Sequence, residues 1–338
     1  MKQKTTLQDI ADACGVTRMT VSSALRGTGR MREDLREKIV EQAALLGYRP
    51  NKAAKIIGTG WFDTVTLLNS VNIERSNLFH DILLGLSLEL QEKACHLHVA
   101  TFTDADLSGE GLLPLFMRES NSDGLIINYT HDVPKAFLDQ LALCNIPYVW
   151  FNNKRRVDAV YADDLQGGKE SVRVLTELGH KRILYLDHPI SHHYSVTDRR
   201  KGYVREMEAR CLKPEVNSTL IELSDREQYL ACRKILEKKN RPTAVITYSS
   251  SKGVDMMLVA ALALGMEIPR DLSLLCFGDV YPTLLGRPIS TIIRPTFIMG
   301  QEAARMFLAK RSDPEKNIPS VKVPLRPLCD ATLAPPSA

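Results

Sequence analysis

Three stretches of this chain carry side chains that could do chemistry. The first is Arg18-Met19, followed by Thr20, Ser22 and Ser23. An arginine fork can bond to both O6 and N7 of guanine, and a methionine thioether can rest on a thymine methyl, so this is a base-reading set. An arginine that only holds a phosphate is the plainer alternative. The second is Ser249-Ser250-Ser251-Lys252, whose S-x-x-K spacing lets a lysine amine act as base to a serine hydroxyl. The S-D-N and K-T-G elements that accompany such a nucleophile are missing, so these serines read as helix caps with hydroxyls turned into a cleft. The third is His188, His192 and His193. Neighbouring loop histidines seldom converge on a metal without carboxylates or cysteines at fixed offsets, and these read as cleft lining. The chain has no G-x-S-x-G, P-loop or G-x-G-x-x-G, and Gly58-Thr59-Gly60 is too short to cradle a phosphate. It is expected to be no enzyme and to carry no metal or cofactor.

The elements around Arg18 favour base reading. Thr6 can cap a first helix with Asp9 in the capping-box position, and Leu7, Ile10, Ala11 and Cys14 form its apolar stripe. Gly15 gives the backbone freedom for a tight turn, and Val16 plugs its inside. Thr17 can cap a second helix that buries Val21, Ala24 and Leu25 and leaves Arg18, Met19, Ser22 and Ser23 outside. A small polar outer face of this kind is what a major groove admits. The spacing predicts a third helix over 32–46, stopped by Gly47. After Pro50 and Asn51, about two helical turns remain before Gly58, too few to be stable alone in water. A short basic helix tipped by Ile56 and Ile57 reads as a segment that orders on DNA and wedges a side chain into the minor groove.

Charge agrees with this reading. Residues 1–60 hold eleven Lys and Arg against six Asp and Glu, whereas the other 278 residues sum to −1. The basic excess therefore sits wholly at the DNA-facing end. The seven cysteines are odd in number and scattered, as reduced core residues of a cytosolic protein would be. No apolar leader and no membrane-length stretch is present, so a cytoplasmic location and no membrane partner are expected. Beyond residue 60, short apolar runs alternate with amphipathic helices, the pattern of parallel α/β layers. Strands are expected at 65–68, 97–101, 124–127, 148–151, 183–186, 220–223, 245–247 and 272–277, with helices such as 78–93, 165–178, 228–237 and 253–264 between them. Two such sets, split near Ala162, imply two doubly wound subdomains with a ligand bound between them.

Taken in order, these landmarks resemble the lactose-repressor family of bacterial transcription regulators. The resemblance rests on the run from Thr6 to Leu25, on Leu46-Gly47-Tyr48 with Pro50-Asn51, on Ser122-Asp123-Gly124-Leu125-Ile126-Ile127 and on Leu178-Gly179-His180-Lys181-Arg182-Ile183. It continues through Arg199-Arg200-Lys201-Gly202-Tyr203, Ser290-Thr291-Ile292-Ile293-Arg294-Pro295 and Met299-Gly300. It implies an all-α helix-turn-helix domain over 1–49, a hinge helix and linker over 50–60, and an α/β core like that of periplasmic binding proteins. The core's first subdomain would be 61–161 with about 293–319, and its second 162–292 with about 320–332, the chain crossing three times. Double-stranded operator DNA, a homodimer and a small carbohydrate effector are the partners so implied. The end of the chain has no heptads, so a dimer is expected rather than a tetramer. A transporter's solute receptor has a similar core, but it would need an export signal and no DNA-binding arm.

The same resemblance implies DNA contacts by Thr6, Thr17, Arg18, Met19, Thr20, Ser22, Ser23, Asn51, Ala54 and Ile57, with Ile57 where relatives usually place leucine. It implies effector contacts by Asn152, Arg199, Ser249, Ser250, Gly278 and Asp279, with Arg199 as the main anchor. Arg200 facing the cleft, with Arg199 in a structural ion pair, is the alternative. The chain departs from the family's pattern at Gly278, commonly acidic, and at Ser249-Ser250, commonly Asn-Asp. Losing acids while keeping Arg199 leaves an anionic ligand open beside a sugar.

Overall fold

Capping and apolar spacing set the N-terminal fold. The computed structural model describes residues 5–49, 56–57, 59–73, 75–107, 122–188, 193–250, 253–284, 286–329 and 331–337. They fall into two units, Met1–Phe62 and Asp63–Ala338. In the first, α1 (Leu7–Cys14) begins at a complete capping box: the Thr6 hydroxyl accepts from the Asp9 amide at 3.3 Å, and the Asp9 carboxylate accepts from the Thr6 amide at 2.7 Å. Gly15 ends it at φ 67°, a left-handed conformation that favours glycine. Thr17 caps α2 (Arg18–Leu25), and α3 (Glu33–Leu45) closes the unit. Ile10, Ala11, Cys14, Val21, Ala24, Ile39 and Ala43 form its core, sealed by Leu7, Val16, Leu25, Met31, Leu35 and Tyr48. Asn51 and Ala54 lie outside the described residues. Ile57 is helical and 88% exposed.

The second unit holds two six-stranded sheets. In the first the order is β13-β5-β4-β3-β1-β2, from β1 (Thr64–Ser70), β2 (His96–Phe102), β3 (Leu125–Asn128), β4 (Tyr148–Phe151), β5 (Ala159–Ala162) and β13 (Val321–Val323), all parallel. In the second it is β14-β12-β9-β8-β6-β7, from β6 (Ile183–Leu186), β7 (Glu215–Asn217), β8 (Ala244–Thr247), β9 (Ser273–Gly278), β12 (Ser290–Ile293) and β14 (Arg326–Leu328), of which only β14 runs antiparallel to its neighbour. A two-stranded ribbon, β10 (Thr283–Leu284) with β11 (Arg287–Pro288), stands apart. Against the first sheet pack α4 (His80–Gln91), α5 (Asp104–Leu107), α6 (Lys135–Leu143) and α11 (Thr296–Ser312). The second sheet carries α7 (Asp164–Glu177), α8 (Tyr194–Ala209), α9 (Asp225–Leu236) and α10 (Val254–Ala263). The central strands β3, β6 and β8 are buried on both faces and read as nearly unbroken apolar runs, as parallel layers require, while the edge strands β2 and β7 are largely exposed.

Two sequence expectations change. Residues 220–223 are not a strand: Leu220–Glu222 is a turn of 3-10 helix, and the strand lies earlier at Glu215–Asn217. The Asn217 carboxamide oxygen accepts from the Thr219 and Leu220 amides at 3.1 Å each, so the side chain ends the strand and bends the chain into the turn. The last crossing to the second sheet comes after Val323 rather than at about 320. Val321–Val323 ladders onto Val160 to Ala162, and the Ala159 amide donates to Ser320 Oγ at 3.1 Å, which keeps this stretch in the first sheet. The short strand β5 lies outside the strands expected from the sequence.

Candidate functional site

At the N-terminal unit, Thr17 Oγ1 accepts from the Thr20 amide at 3.2 Å and shares a 2.9 Å bond with the Thr20 hydroxyl. Capping absorbs these hydroxyls, as it does Thr6. Arg18 is exposed and Met19 is 81% exposed, while Ser22 and Ser23 are half-buried. The turn after α2 is pinned by Arg36, whose guanidinium donates to the Ala24 carbonyl at 3.3 Å and the Gly29 carbonyl at 3.4 Å. Arg18 and Met19 therefore project from a helix fixed at both ends.

In the core unit, polar side chains gather where the strands end. Asn69 and Asn128 stand opposite one another at the ends of β1 and β3, joined by a 2.8 Å bond from Asn128 Nδ2 to Asn69 Oδ1. Asn69 Nδ2 and Asn128 Oδ1 are buried and have no protein partner. Asn152 directly follows β4, is 4% exposed and has φ 56°. Its Oδ1 accepts from Arg294 Nη1 at 3.0 Å, across from the end of β12. Its carbonyl accepts from His193 Nε2 at 3.0 Å, across from the start of α8. The carboxyl ends of the two sheets thus meet at Asn152, in the crevice where open α/β sheets bind ligands.

Arg199 is 8% exposed, and its position comes from helix packing. A Cβ on Gly168 would lie 2.2 Å from the Arg199 carbonyl oxygen, and one on Gly202 would lie 2.2 Å from that of Leu165. Only glycines let α7 and α8 approach so closely. Arg199 Nε then reaches Asp164 Oδ1 at 2.6 Å, Nη1 donates to the Tyr248 carbonyl at 2.7 Å, and the guanidinium stacks 4.8 Å and 4.5 Å from the Tyr248 and Phe277 ring centres. Burial works against the charge, but the Asp164 carboxylate and the Tyr248 and Tyr185 oxygens outweigh it, so Arg199 is held above the usual guanidinium range. Arg199 as an anchor with a free fork is not what the geometry gives, since two of its donors are engaged inside the protein. Arg200 pairs with the buried Asp187 at 2.9 Å and its side chain is 43% exposed.

Asp279 is bound as well: its carboxylate pairs with Arg294 Nε. The Ser249 carbonyl accepts from the Thr247 hydroxyl at 2.8 Å, and Ser250 Oγ lies 3.5 Å from where a Cβ on Gly278 would sit. Ser251, Lys252 and His192 lie outside the described residues. His188 lies beside Tyr248, ring centres 5.4 Å apart. His193 caps α8, its Nδ1 accepting from the Ser195 amide at 3.4 Å and lying 2.6 Å from the Ser195 hydroxyl, which in turn lies 2.7 Å from Tyr248 OH. A carbonyl can only accept, so the bond to Asn152 places the imidazole proton on Nε2. Burial pushes this imidazole down to about 4 and keeps it neutral.

Sequence reasoning missed Asp164, Tyr248, Arg294, Asn69 and Asn128. The signal available for the two asparagines was a polar residue ending an otherwise apolar strand.

The N-terminal geometry has a match in residues 6–51, which fit the model for bacterial regulatory proteins of the lacI family. Residues 6–51 are a lacI-family helix-turn-helix domain. Residues 172–328 fit a periplasmic binding protein-like domain, and together the two matches make the chain a DNA-binding helix-turn-helix regulator with a binding-protein-like core. It is 26% identical over 317 residues to the probable HTH-type transcriptional repressor ExuR of Bacillus subtilis (strain 168), covering 92% of each chain. It is 27% identical to the HTH-type transcriptional regulator CelR of Thermobifida fusca, covering 91% of this chain and 92% of that one. Its fold is that of a lac repressor dimer solved with operator and an anti-inducer, with TM-score 0.71, 18% identity, and 98% and 99% of the two chains covered. The lacI-family match begins at Thr6, the residue that caps the first helix.

Proposed function

We propose that this chain is a lacI-family repressor that binds a pseudo-palindromic operator as a dimer and is controlled by a small sugar or sugar derivative bound between its core lobes. The observation that carries the DNA half is the capped helix α2 with Arg18 and Met19 projecting from it. The proposed base contacts are Arg18 and Met19, with Ser22 and Ser23 beside them. Thr6, Thr17 and Thr20 shape the helix ends that approach phosphates, where N-terminal amides favour anions. Asn51, Ala54 and Ile57 would belong to the hinge, with Ile57 as the minor-groove wedge. Dimerisation is supported by Leu84 and Leu88, exposed to 40% and 45% one turn apart on α4, and by Val99 on the neighbouring edge strand β2.

The nature of the effector follows from charge. Both buried arginines of the crevice already face a carboxylate, Arg199 with Asp164 and Arg294 with Asp279. What remains for a ligand is largely neutral: Asn69 Nδ2, Asn128 Oδ1, Ser250 and the Tyr248 ring. Asp164 Oδ2 adds one buried acceptor. Such a set suits hydroxyl groups better than a phosphate.

Selection of duplexes from a random pool, using the full-length protein and Arg18→Ala, tests the reading. An inverted repeat should be enriched, and Arg18→Ala should lose preference at one base position of each half-site by about 1–3 kcal/mol. Uniform weakening with the preference intact would assign Arg18 to phosphate. No enriched sequence at all would overturn the operator reading.

A further inference from the structure

Among the described residues, Asn152 is a residue of the first lobe held through both its side chain and its backbone by two separate elements facing it. Its amide donates to the Val160 carbonyl at 2.8 Å, which fixes it in its own lobe. Its Oδ1 and its carbonyl are both taken by the facing lobe, through Arg294 and His193. Among the described residues, only Nδ2 is left without a hydrogen bond. The donor side is prearranged: Asp279 holds the Arg294 guanidinium, and Phe79 at the start of α4 lies 5.9 Å from it. The guanidinium is already oriented by Asp279, so a charge-assisted bond to Asn152 forms with little reordering of the donor. Among the described residues other links also join the lobes: the Lys154–Asp198 pair, open to solvent at the lysine, 44% exposed, and the Tyr194–Ala162 bond beside the first crossover. Arg294 itself stands where the chain crosses from β12 to α11, and His193 grips from the second lobe away from that crossing.

We propose that Asn152 is the latch of the cleft, gripped by Arg294 and His193 so that the two lobes close on each other by the chain's own groups and need no bound ligand to do so. This deepens the effector reading and rests on the same crevice. Closure by the ligand is then not the switch. An effector works against the latch, and it shifts the core only by the margin with which it prefers the unlatched arrangement. Asn152 becomes a positioning residue, offering at most its Nδ2 to a ligand.

Hydrogen exchange read by mass spectrometry on the full-length protein, with no DNA and no small molecule added, tests this. Asn152→Gly keeps the positive φ and deletes the gripped side chain. Peptides from β4 to β5 and from the first half of α8 are expected to exchange roughly tenfold faster, the loss of one charge-assisted bond, while those of α9 stay unchanged. Unchanged exchange in the cleft peptides overturns the latch. His193→Asn is the second variant, since asparagine still caps α8 but is too short to reach the Asn152 carbonyl. It should loosen the same peptides to a smaller degree, and it decides by the same criterion if Asn152→Gly folds poorly. Neither arm involves operator or effector, so failure of the latch is separable from failure of the regulator reading, which would show as lost duplex selection.

Discussion

At the scale of single residues, the crevice is a set of charges neutralised in pairs. Arg199 and Asp164 are both buried, and removing one partner strands the other's charge in a poorly solvated site. Arg199→Ala is therefore expected to destabilise the protein by about 3–5 kcal/mol, read as a lowered Tm. Replacing both partners together, Arg199→Met with Asp164→Leu, should recover most of that loss. A double variant as unstable as the single one would show that Arg199 matters for its other contacts. His193 adds a pH dependence. Its imidazole is held down at about 4 when folded against an ordinary 6.5, so the unfolded chain binds the proton more readily. The stability this site contributes is complete above pH 6.5 and is lost as pH falls toward 4. The residue as a whole is half-buried, so the loss should be on the order of 1–2 kcal/mol. Denaturant unfolding across that pH range should show the decline, and His193→Asn should flatten it.

At the scale of elements, a helix–helix contact aims the crevice. Gly168 and Gly202 let α7 and α8 touch backbone to backbone, which sets Asp164 and Arg199 side by side. Gly168→Val is expected to force these helices apart at a cost of several kcal/mol, with little effect on the separately folded N-terminal unit. Circular dichroism melts of the full chain and of the 1–62 fragment compare the two. The helix-turn-helix was legible down to its caps, because Thr6, Asp9, Gly15 and Thr17 act on backbone groups within three or four residues of themselves. The 220–223 region misled because its apolar residues are strand-like, while Asn217 overrides them through two local hydrogen bonds. The strand β5 was missed because its four residues include two alanines, weak strand formers, and pairing with β4 and β13 on either side defines it.

At the scale of the whole molecule, the proposed function requires two copies and two lobes. Leu84→Glu with Leu88→Glu puts charges on the apolar turn of α4 without touching the core, since both side chains point outward. Sedimentation should show wild type as a dimer and the double variant as a monomer, and operator affinity should fall by orders of magnitude as the two half-sites are no longer read together. A double variant that stays dimeric would move the interface elsewhere. The return of the chain to the second sheet belongs to this scale too. The sequence placed it near 320, but the ladder from Val321 to Val323 delays it, because pairing with Val160 to Ala162, so distant in sequence, leaves no local mark.

By itself the amino-acid order determined what depends on near neighbours: the caps and turn before α2, its exposed Arg18 and Met19, the basic N-terminal end and the alternation that makes two parallel sheets. Tertiary structure alone decided the crevice. Nothing near Arg199 in sequence shows that Asp164 will neutralise it, and nothing near Asn152 shows that Arg294, 142 residues on, will bond its carboxamide. A buried charge takes its state from whatever packing places within a few ångströms. The same Arg199 that reads as a free anion anchor along the chain is, once folded, one half of a neutral pair.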